Sequence, residues 1–306
     1  MRKCQMRQVR QMWREAVILT AAAGCACLAR SEYEKKHFSV ERIQVVSEKV
    51  EKDRCLVFLS DLHNNEFGLE NRKLVERIWE LNPDAVLAGG DMIVTRGKGK
   101  GDTRAALRLL KELSSRFPIY YGNGNHESRM AWHREVYGSQ YEEFYSSLQE
   151  MGIICLEDAT APLGEDILVT GVDLHPSFYR KALLKKAPDM GEDYLDKKLG
   201  CGQRGGEKEK FRILLAHSPL YFKNYAAWGA DLTLSGHLHG GTVRLPFLGG
   251  VMTPQYQFFL PWCAGAFEME GKQMIVSRGL GTHSINIRFN NKPHLVVIQL
   301  KSSRKR

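Results

Sequence analysis

A chain of 306 residues, 43% of them hydrophobic, can bury a full core and reads as one globular domain with appendages. Its formal charge of +9 resides wholly at the ends, in Arg2, Lys3, Arg7, Arg10 and Arg14 and in Lys301, Arg304, Lys305 and Arg306. A neutral body with basic ends lacks a broad phosphate-backbone footprint, so no nucleic-acid partner is expected, and the ends are left to solvent or to anionic lipid.

The first thirty residues have a targeting shape: a basic start, the uncharged run "AVILTAAAGCACLA" at 16–29, then "RSEYEKKH". A run of about 14 residues falls short of the roughly 20 that a spanning helix needs and is nearer a signal-peptide apolar region. Ala21 and Ala23 offer a small-residue cleavage site, while Ala22, Ala23, Gly24 and Cys25 resemble a bacterial lipoprotein signal. If retained, the run is a marginal anchor whose basic flank stays cytoplasmic, leaving the domain outside. The cytoplasmic membrane face and a buried N-terminal helix are the alternatives. The expected division is a leader at 1–35, the folded domain at 36–300 and a basic tail at 301–306, in a monomeric, membrane-associated or exported protein. The seven cysteines are scattered without a CxxC pair and form no disulfide framework.

From residue 54 the pattern becomes regular. "RCLVFLS" is an apolar strand, "ENRKLVERIWEL" has helical spacing and "DAVLAGG" is a second apolar strand, which makes a βαβ unit with parallel strands. After the flexible "RGKGKG" come a helix over "GDTRAALRLLKELSSRF", a third strand over "PIYYGNGNH", a helix over "SQYEEFYSSLQEM" and short strands at "GIICL" and "DILVTGVD". "KLGCGQRGGEKEK" reads as an exposed loop, followed by the strand "FRILLAH", a helix around "PLYFKNYAAWG" and the strand "ADLTLSGH". Strand signals at "QMIVSRG", "SINIRF" and "HLVVIQL", with no helices between them, suggest an antiparallel tail. The sum is an α/β fold of two sheets face to face with helices outside, whose chemistry gathers where parallel strands end.

Metal-type ligands stand at those ends. "LSDLH" supplies Asp61 and His63, "LAGGD" Asp91, "YGNGNHE" Asn125 and His126, "LLAHS" His217, and "LSGHLHGG" His237 and His239. Imidazole mixed with carboxylate and amide oxygen suits Mn²⁺, Zn²⁺ or Fe rather than Ca²⁺. Asp91, in a glycine turn, has two oxygens with which to bridge two ions, and the glycines allow close packing of strand ends.

Taken in order, Asp61-x-His63, Gly90-Asp91, Gly124-Asn125-His126-Glu127, His217 and Gly236-His237-Leu238-His239 resemble the signature of the calcineurin-like metallophosphoesterases, and of their bacterial membrane-associated or exported branch in particular. The resemblance covers residues 54–240 and implies a four-layer αββα sandwich holding two divalent metal ions, Mn, Zn or Fe. It assigns Asp61, His63, Asp91 and His239 to one metal, and Asp91, Asn125, His217 and His237 to the other. It leaves His126 as general acid and implies hydrolysis of a phosphomonoester, phosphodiester or pyrophosphate bond by in-line attack of a metal-bridging hydroxide. The substrate is then a small-molecule or lipid-linked phosphoester, and a catalytically silent scaffold of the same fold is the competing reading.

One position departs from the pattern: where many relatives carry an acidic residue three places after the bridging aspartate to orient the histidine, this chain has Val94, and Glu127 is the candidate substitute. Asn64 and Asn65 are read as capping the following turn, with donation to a substrate phosphate as the alternative. His175 and His283 read as loop histidines, and His37, His133 and His294 as surface residues. The apolar stretch "FLGGVMTPQYQFFLPWCAGAF" is either core beneath a loop or a lipid-facing loop.

Overall fold

A computed structural model describes residues 2–95, 101–179, 188–201, 209–245, 247–253, 258, 260, 262–282 and 286–304. The run that reads as a signal-peptide region continues as one unbroken helix, α1 (Arg2–Lys35). Its segment 10–35 is long and apolar enough to cross a membrane by length and composition, and Val17, Ile18, Leu19 and Leu28 lie exposed along it. The last turns join the body: buried Ser31 accepts a hydrogen bond from the Arg288 amide at 3.0 Å and buried Glu34 one from the Asn291 amide at 2.8 Å.

The first half of the body contains β1 (Ser39–Ser47), β2 (Arg54–Leu59), α2 (Arg72–Leu81), β3 (Ala85–Gly89), α3 (Arg104–Ser114), β4 (Ile119–Gly122), α4 (Asn125–Trp132), α5 (Arg134–Tyr137), α6 (Gln140–Glu150) and β5 (Ile154–Cys155). The second contains β6 (Ala159–Leu163), β7 (Ile167–Gly171), α7 (Tyr194–Leu199), β8 (Phe211–Leu215), α8 (Phe222–Trp228), β9 (Leu232–Ser235), β10 (Val243–Leu245), β11 (Gly249–Met252), β12 (Gly265–Met269), β13 (Lys272–Val276) and β14 (His294–Ser302). One sheet has the order β1-β14-β2-β3-β4-β5 and the other β12-β13-β9-β8-β7-β6.

Apolar burial explains why the sheets stack. Leu56, Phe58 and Leu87 of the first sheet meet Val169, Ile213 and Leu234 of the second, each burial stabilising by about 1.5–3 kcal/mol. On the outer face of the first sheet, Leu74 and Ile78 of α2, Leu109 and Leu113 of α3 and Phe144 of α6 cover Val57, Val86 and Tyr121. Leu195 of α7 and Tyr225 and Trp228 of α8 cover Leu214 on the outer face of the second. The result is the expected four-layer αββα sandwich, with β2, β3 and β4 parallel in one sheet and β7, β8 and β9 parallel in the other.

The tail differs from expectation. It is mixed rather than antiparallel, because β13 joins β9 in parallel and β14 joins β1 in parallel and β2 antiparallel. The described part of "SINIRF", residues 286–289, contains no strand; the Arg288 side chain is buried, and Phe289 makes one isolated bridge to Val243. β1 and β6 give weak sequence signals because they are edge strands: β1 is interrupted by Glu41, Arg42 and Gln44, and β6 carries Pro162, tolerated only where one side of a strand needs no partner. The glycine-rich stretches at 96–100 and 202–208, His283 and the start of "SINIRF" lie outside the described residues, as do Lys305 and Arg306. Arg304 pairs with Glu51 beyond the end of β14. Since Ser39 faces His294 and Ser47 faces Ser302, that end is about 26 Å along the strand from the exit of α1.

Arg54 and Asp166 tie the two sheets together by a buried two-point ion pair, with Nη1–Oδ2 at 2.9 Å and Nη2–Oδ1 at 2.5 Å. Replacing Arg54 by Met strands a buried carboxylate, so the Arg54→Met protein is expected to lose about 3–5 kcal/mol, read as a lower urea midpoint.

Candidate metal centre

Four strands end at one edge of the sandwich, and Asp61, Asp91, His217 and His237 each lie two residues beyond the end of β2, β3, β8 and β9. His63 and His239 follow two residues later, while Asn125 and His126 open α4 just after β4. His126 therefore sits in the first turn of a helix rather than on the strand read through "PIYYGNGNH". Five of the seven candidate ligands adopt a left-handed backbone: Asp61 (φ 51°), His63 (46°), Asp91 (52°), His237 (69°) and His239 (53°). Such conformations cost about 1–3 kcal/mol each and turn a side chain sideways off the strand line, into the space all the strands share. Two glycines make the approach possible: a Cβ on Gly90 (φ 84°) would collide with the Gly124 backbone, and one on Gly236 with the Asp61 carboxylate.

The candidate ligands gather into two groups, Asp61 with His63 and His239, and Asp91 with His217 and His237; within each, one donor atom per residue lies within 4.8 Å of the others. Asp91 Oδ2 stands between the groups, 3.7 Å from His63 Nε2 and 3.2 Å from His217 Nε2. Asp61 Oδ1 is 3.4 Å from His239 Nε2 and 3.7 Å from His217 Nε2. His63 Nε2 and His239 Nε2 are 3.1 Å apart, close enough to need a proton or a cation between them. Asn125 Oδ1 is buried without a hydrogen-bond partner. These donors, packed in a buried pocket, fit divalent cations.

The histidine tautomers separate the ring nitrogens by task. His217 Nδ1 lies 2.8 Å from the Gly89 carbonyl and His239 Nδ1 3.1 Å from the Gly281 carbonyl. A carbonyl only accepts, so both Nδ1 atoms carry hydrogen, and in the neutral rings both Nε2 atoms present a lone pair to the pocket. His126 is the reverse. Its Nδ1 accepts the Thr95 amide N–H at 2.9 Å, with the Thr95 hydroxyl at 2.8 Å, so in the neutral ring Nε2 bears the hydrogen. His126 stands within ligand reach of His63 and Asp91, with Nε2 3.9 Å from Asp91 Oδ2, but it points a donor there rather than a lone pair.

Thr95, then, holds the histidine that Val94 cannot, and Glu127 does not substitute. Fully buried Glu127 accepts from the Asp91, Met92 and Gly124 amides at 2.9–3.0 Å and from the Tyr121 hydroxyl at 2.8 Å, pinning the Asp91 turn to the start of α4. Asn64 and Asn65 donate to the Asp102 and Leu280 carbonyls, which lie far along the chain, so these bonds tie loops together rather than cap the following turn.

Charge is crowded here. Burial pushes Asp61 up to about 6, with His217 pulling down and Asp91 pushing further up. Burial would also raise Asp91, but His217, His126 and His63 outweigh it and hold that carboxyl well below the usual range. Burial works against charge on His217, yet Asp91 and Asp61 raise it to about 10. A cation held by these residues would displace the His217 proton at pH 8; below pH 6, Asp61 is protonated as well and would give up a second. Loading is therefore expected to release about one proton at pH 8 and about two at pH 5, with affinity weakening as pH falls through 6. Calorimetry in buffers of different ionisation enthalpy counts them, and an equal count at both pH values would remove Asp61 from the coupling.

Residues 56–241 match the calcineurin-like phosphoesterase family. The chain belongs to that family. It is 28% identical over 260 residues to the Bacillus subtilis metallophosphoesterase YkuE, covering 81% of this chain and 79% of that one. It is 28% identical over 301 residues to a Danio rerio transmembrane protein with a metallophosphoesterase domain, covering 94% of this chain but 62% of the fish protein's length. Among solved structures it resembles TT1561 of Thermus thermophilus, with 12% identity and a TM-score of 0.45, covering 74% of this chain and 90% of that one.

Sequence reading missed several neighbours of this phosphoesterase site. The Tyr179 ring packs 5.1 Å from His237 and 6.1 Å from His217, forming a wall that no motif announces. Asn291 Nδ2 donates to the His239 carbonyl at 2.8 Å, and buried Arg288 donates to the carbonyls of Arg278, Gly279 and Gly281, the last of which also receives His239 Nδ1. His294, expected on the surface, is buried: its Nε2 accepts from the Arg278 amide and its Nδ1 meets Glu41, and burial brings its pKa down to about 4. His37 and His133 are exposed as expected, and His175 lies in a loop as expected.

Proposed function

We propose that the chain is a phosphoesterase that uses two divalent cations, with Asp61, His63, Asp91 and His239 holding one and Asp91, Asn125, His217 and His237 the other. When bound, such cations supply Lewis acidity toward phosphoryl oxygens and bring the pKa of water toward neutrality. The protein's own part is to fix the donors at strand ends, keep Nε2 lone pairs of neutral His217 and His239 facing inward, and aim the Nε2–H of His126 at the leaving oxygen, where the neutral ring stabilises the developing charge as a hydrogen-bond donor while solvent supplies the proton. The observation that carries the reading is the contrast in tautomers, with carbonyls behind the ligand histidines and an amide N–H behind His126.

Further, α1 is read as a membrane anchor with its basic N-terminal flank cytoplasmic and the domain outside, which puts lipid-linked phosphoesters beside small-molecule esters as substrates. The test is hydrolysis of bis(p-nitrophenyl) phosphate and p-nitrophenyl phosphate by the full chain in detergent, stripped of metal and resupplied with Mn²⁺. Turnover that depends on Mn²⁺ supports the reading. Failure to bind any metal would leave a silent scaffold of this fold.

A further inference from the structure

We propose that the β10–β11 hairpin dips into the bilayer that α1 crosses, so that the candidate centre stands at the membrane surface. This rests on the anchor reading of α1.

The hairpin leaves the site directly, beginning four residues after His239, and its tip presents Phe247, fully exposed, and Leu248, 63% exposed. Leu245 and, next to β11, Phe258 are exposed as well. Such a cluster is costly in water, and core packing beneath a loop, the commoner fate of an apolar stretch, does not apply to these four residues.

Two connections fix where this patch points. First, β10 is held to the segment 286–291: the Arg244 amide donates to the Phe289 carbonyl at 3.0 Å, and the Phe289 amide to the Thr242 carbonyl at 3.2 Å. Second, that same segment is gripped by the end of α1, through Ser31 to the Arg288 amide, Glu34 to the Asn291 amide and Lys35 Nζ to the Asn286 carbonyl. Exposed Ile287 lies between these grips. The hairpin is thus attached to the point at which the anchor emerges.

That point carries the chemistry of a membrane interface. Tyr33 is half-exposed with Lys292 Nζ 5.6 Å from its ring, and Arg30 and Lys36 flank it. Tyrosine and cations at the end of an apolar helix match the headgroup layer, the cations facing anionic lipid. From Arg10 to Arg30 the helix rises about 30 Å, the thickness of the hydrocarbon layer, with Arg14 and Glu15 within about two turns of its cytoplasmic edge, where long side chains reach the headgroups. Arg304 stands at the opposite end of β14, paired with Glu51.

To test this, the full chain with Cys4, Cys25, Cys27 and Cys201 changed to Ser would carry Phe247→Cys labelled with an environment-sensitive fluorophore. It would be reconstituted into vesicles of phosphatidylcholine and phosphatidylglycerol, with and without lipid bearing a nitroxide high on its acyl chain; Ser303→Cys, near the far end of β14, is the control. The label at 247 is expected to shift to the blue and lose most of its emission to the nitroxide lipid, while the label at 303 does neither. A label at 247 that stays unquenched in protein that floats with the vesicles overturns the hairpin contact and leaves the anchor standing. Shielding of that label from aqueous iodide without lipid quenching would overturn the bilayer contact and assign the patch to a second copy of the chain, the one protein present. Protein that fails to float with vesicles overturns both readings.

Discussion

The Asp91→Asn protein is expected to lose both metals and at least about 10³-fold in turnover, since metal assistance supplies several kcal/mol and each 1.36 kcal/mol is a factor of ten. The substitution keeps the size and shape of the side chain. Its oxygen can still accept the His126 amide, as Asp91 Oδ1 does at 2.8 Å, so the start of α4 should keep its place. What changes is the atom between the two halves of the site. Oδ2, 3.7 Å from His63 and 3.2 Å from His217, becomes an NH₂ group with hydrogens where a shared cation ligand is needed. The negative charge that raises His217 is lost at the same time, so cation affinity falls on both sides. Because the fold holds Asp91 ionised against its histidine neighbours, the metal-free Asp91→Asn protein should be less stable than the parent. Metal analysis, turnover of bis(p-nitrophenyl) phosphate and the thermal midpoint in the absence of metal read the three effects. Full metal content with turnover within tenfold of the parent would show that Asp91 is not shared.

The candidate ligands were legible because they follow parallel strands that the apolar pattern already marks. "RCLVFL", "AVLAG", "FRILL" and "LTLS" are buried on both faces, so each reads as an unbroken apolar run, and a polar residue two places beyond the run is conspicuous. Edge strands do not announce themselves this way: the polar run Glu41, Arg42 interrupts β1, and β12 alternates with exposed positions. The supports of the site were hidden for another reason. Thr95 acts on His126 partly through a backbone amide, which every residue but proline has, so no residue type signals it. Arg288 and Asn291 act on His239 through carbonyls across about 50 residues of sequence, and the apolar spacing around Arg288 imitates a strand although the arginine itself is buried. Long-range approach through main-chain atoms leaves little trace in a single sequence.

The same amide decides what His126 can do, and the His126→Ala protein is expected to keep its metals while losing about 10²–10⁴ in kcat on alkyl phosphoesters. With Nδ1 occupied by the Thr95 N–H, the neutral ring carries its hydrogen on Nε2, the nitrogen nearest Asp91 Oδ2. That hydrogen is useful where the departing oxygen is a poor leaving group. It matters less where the departing group is p-nitrophenolate, which leaves without a proton near neutrality. The ratio of alkyl to p-nitrophenyl turnover should therefore collapse in His126→Ala. Loss of a ligand would instead lower both rates together and reduce metal content. Thr95→Val provides the intermediate case: it removes the hydroxyl but keeps the amide donor, so the tautomer survives and the loss should stay near the roughly 1 kcal/mol of one hydrogen bond, within about tenfold. If His126→Ala lost metal and slowed both esters equally, His126 would be a ligand, and the donor to the leaving oxygen would have to be sought elsewhere around the pocket, with the Tyr179 hydroxyl first in line.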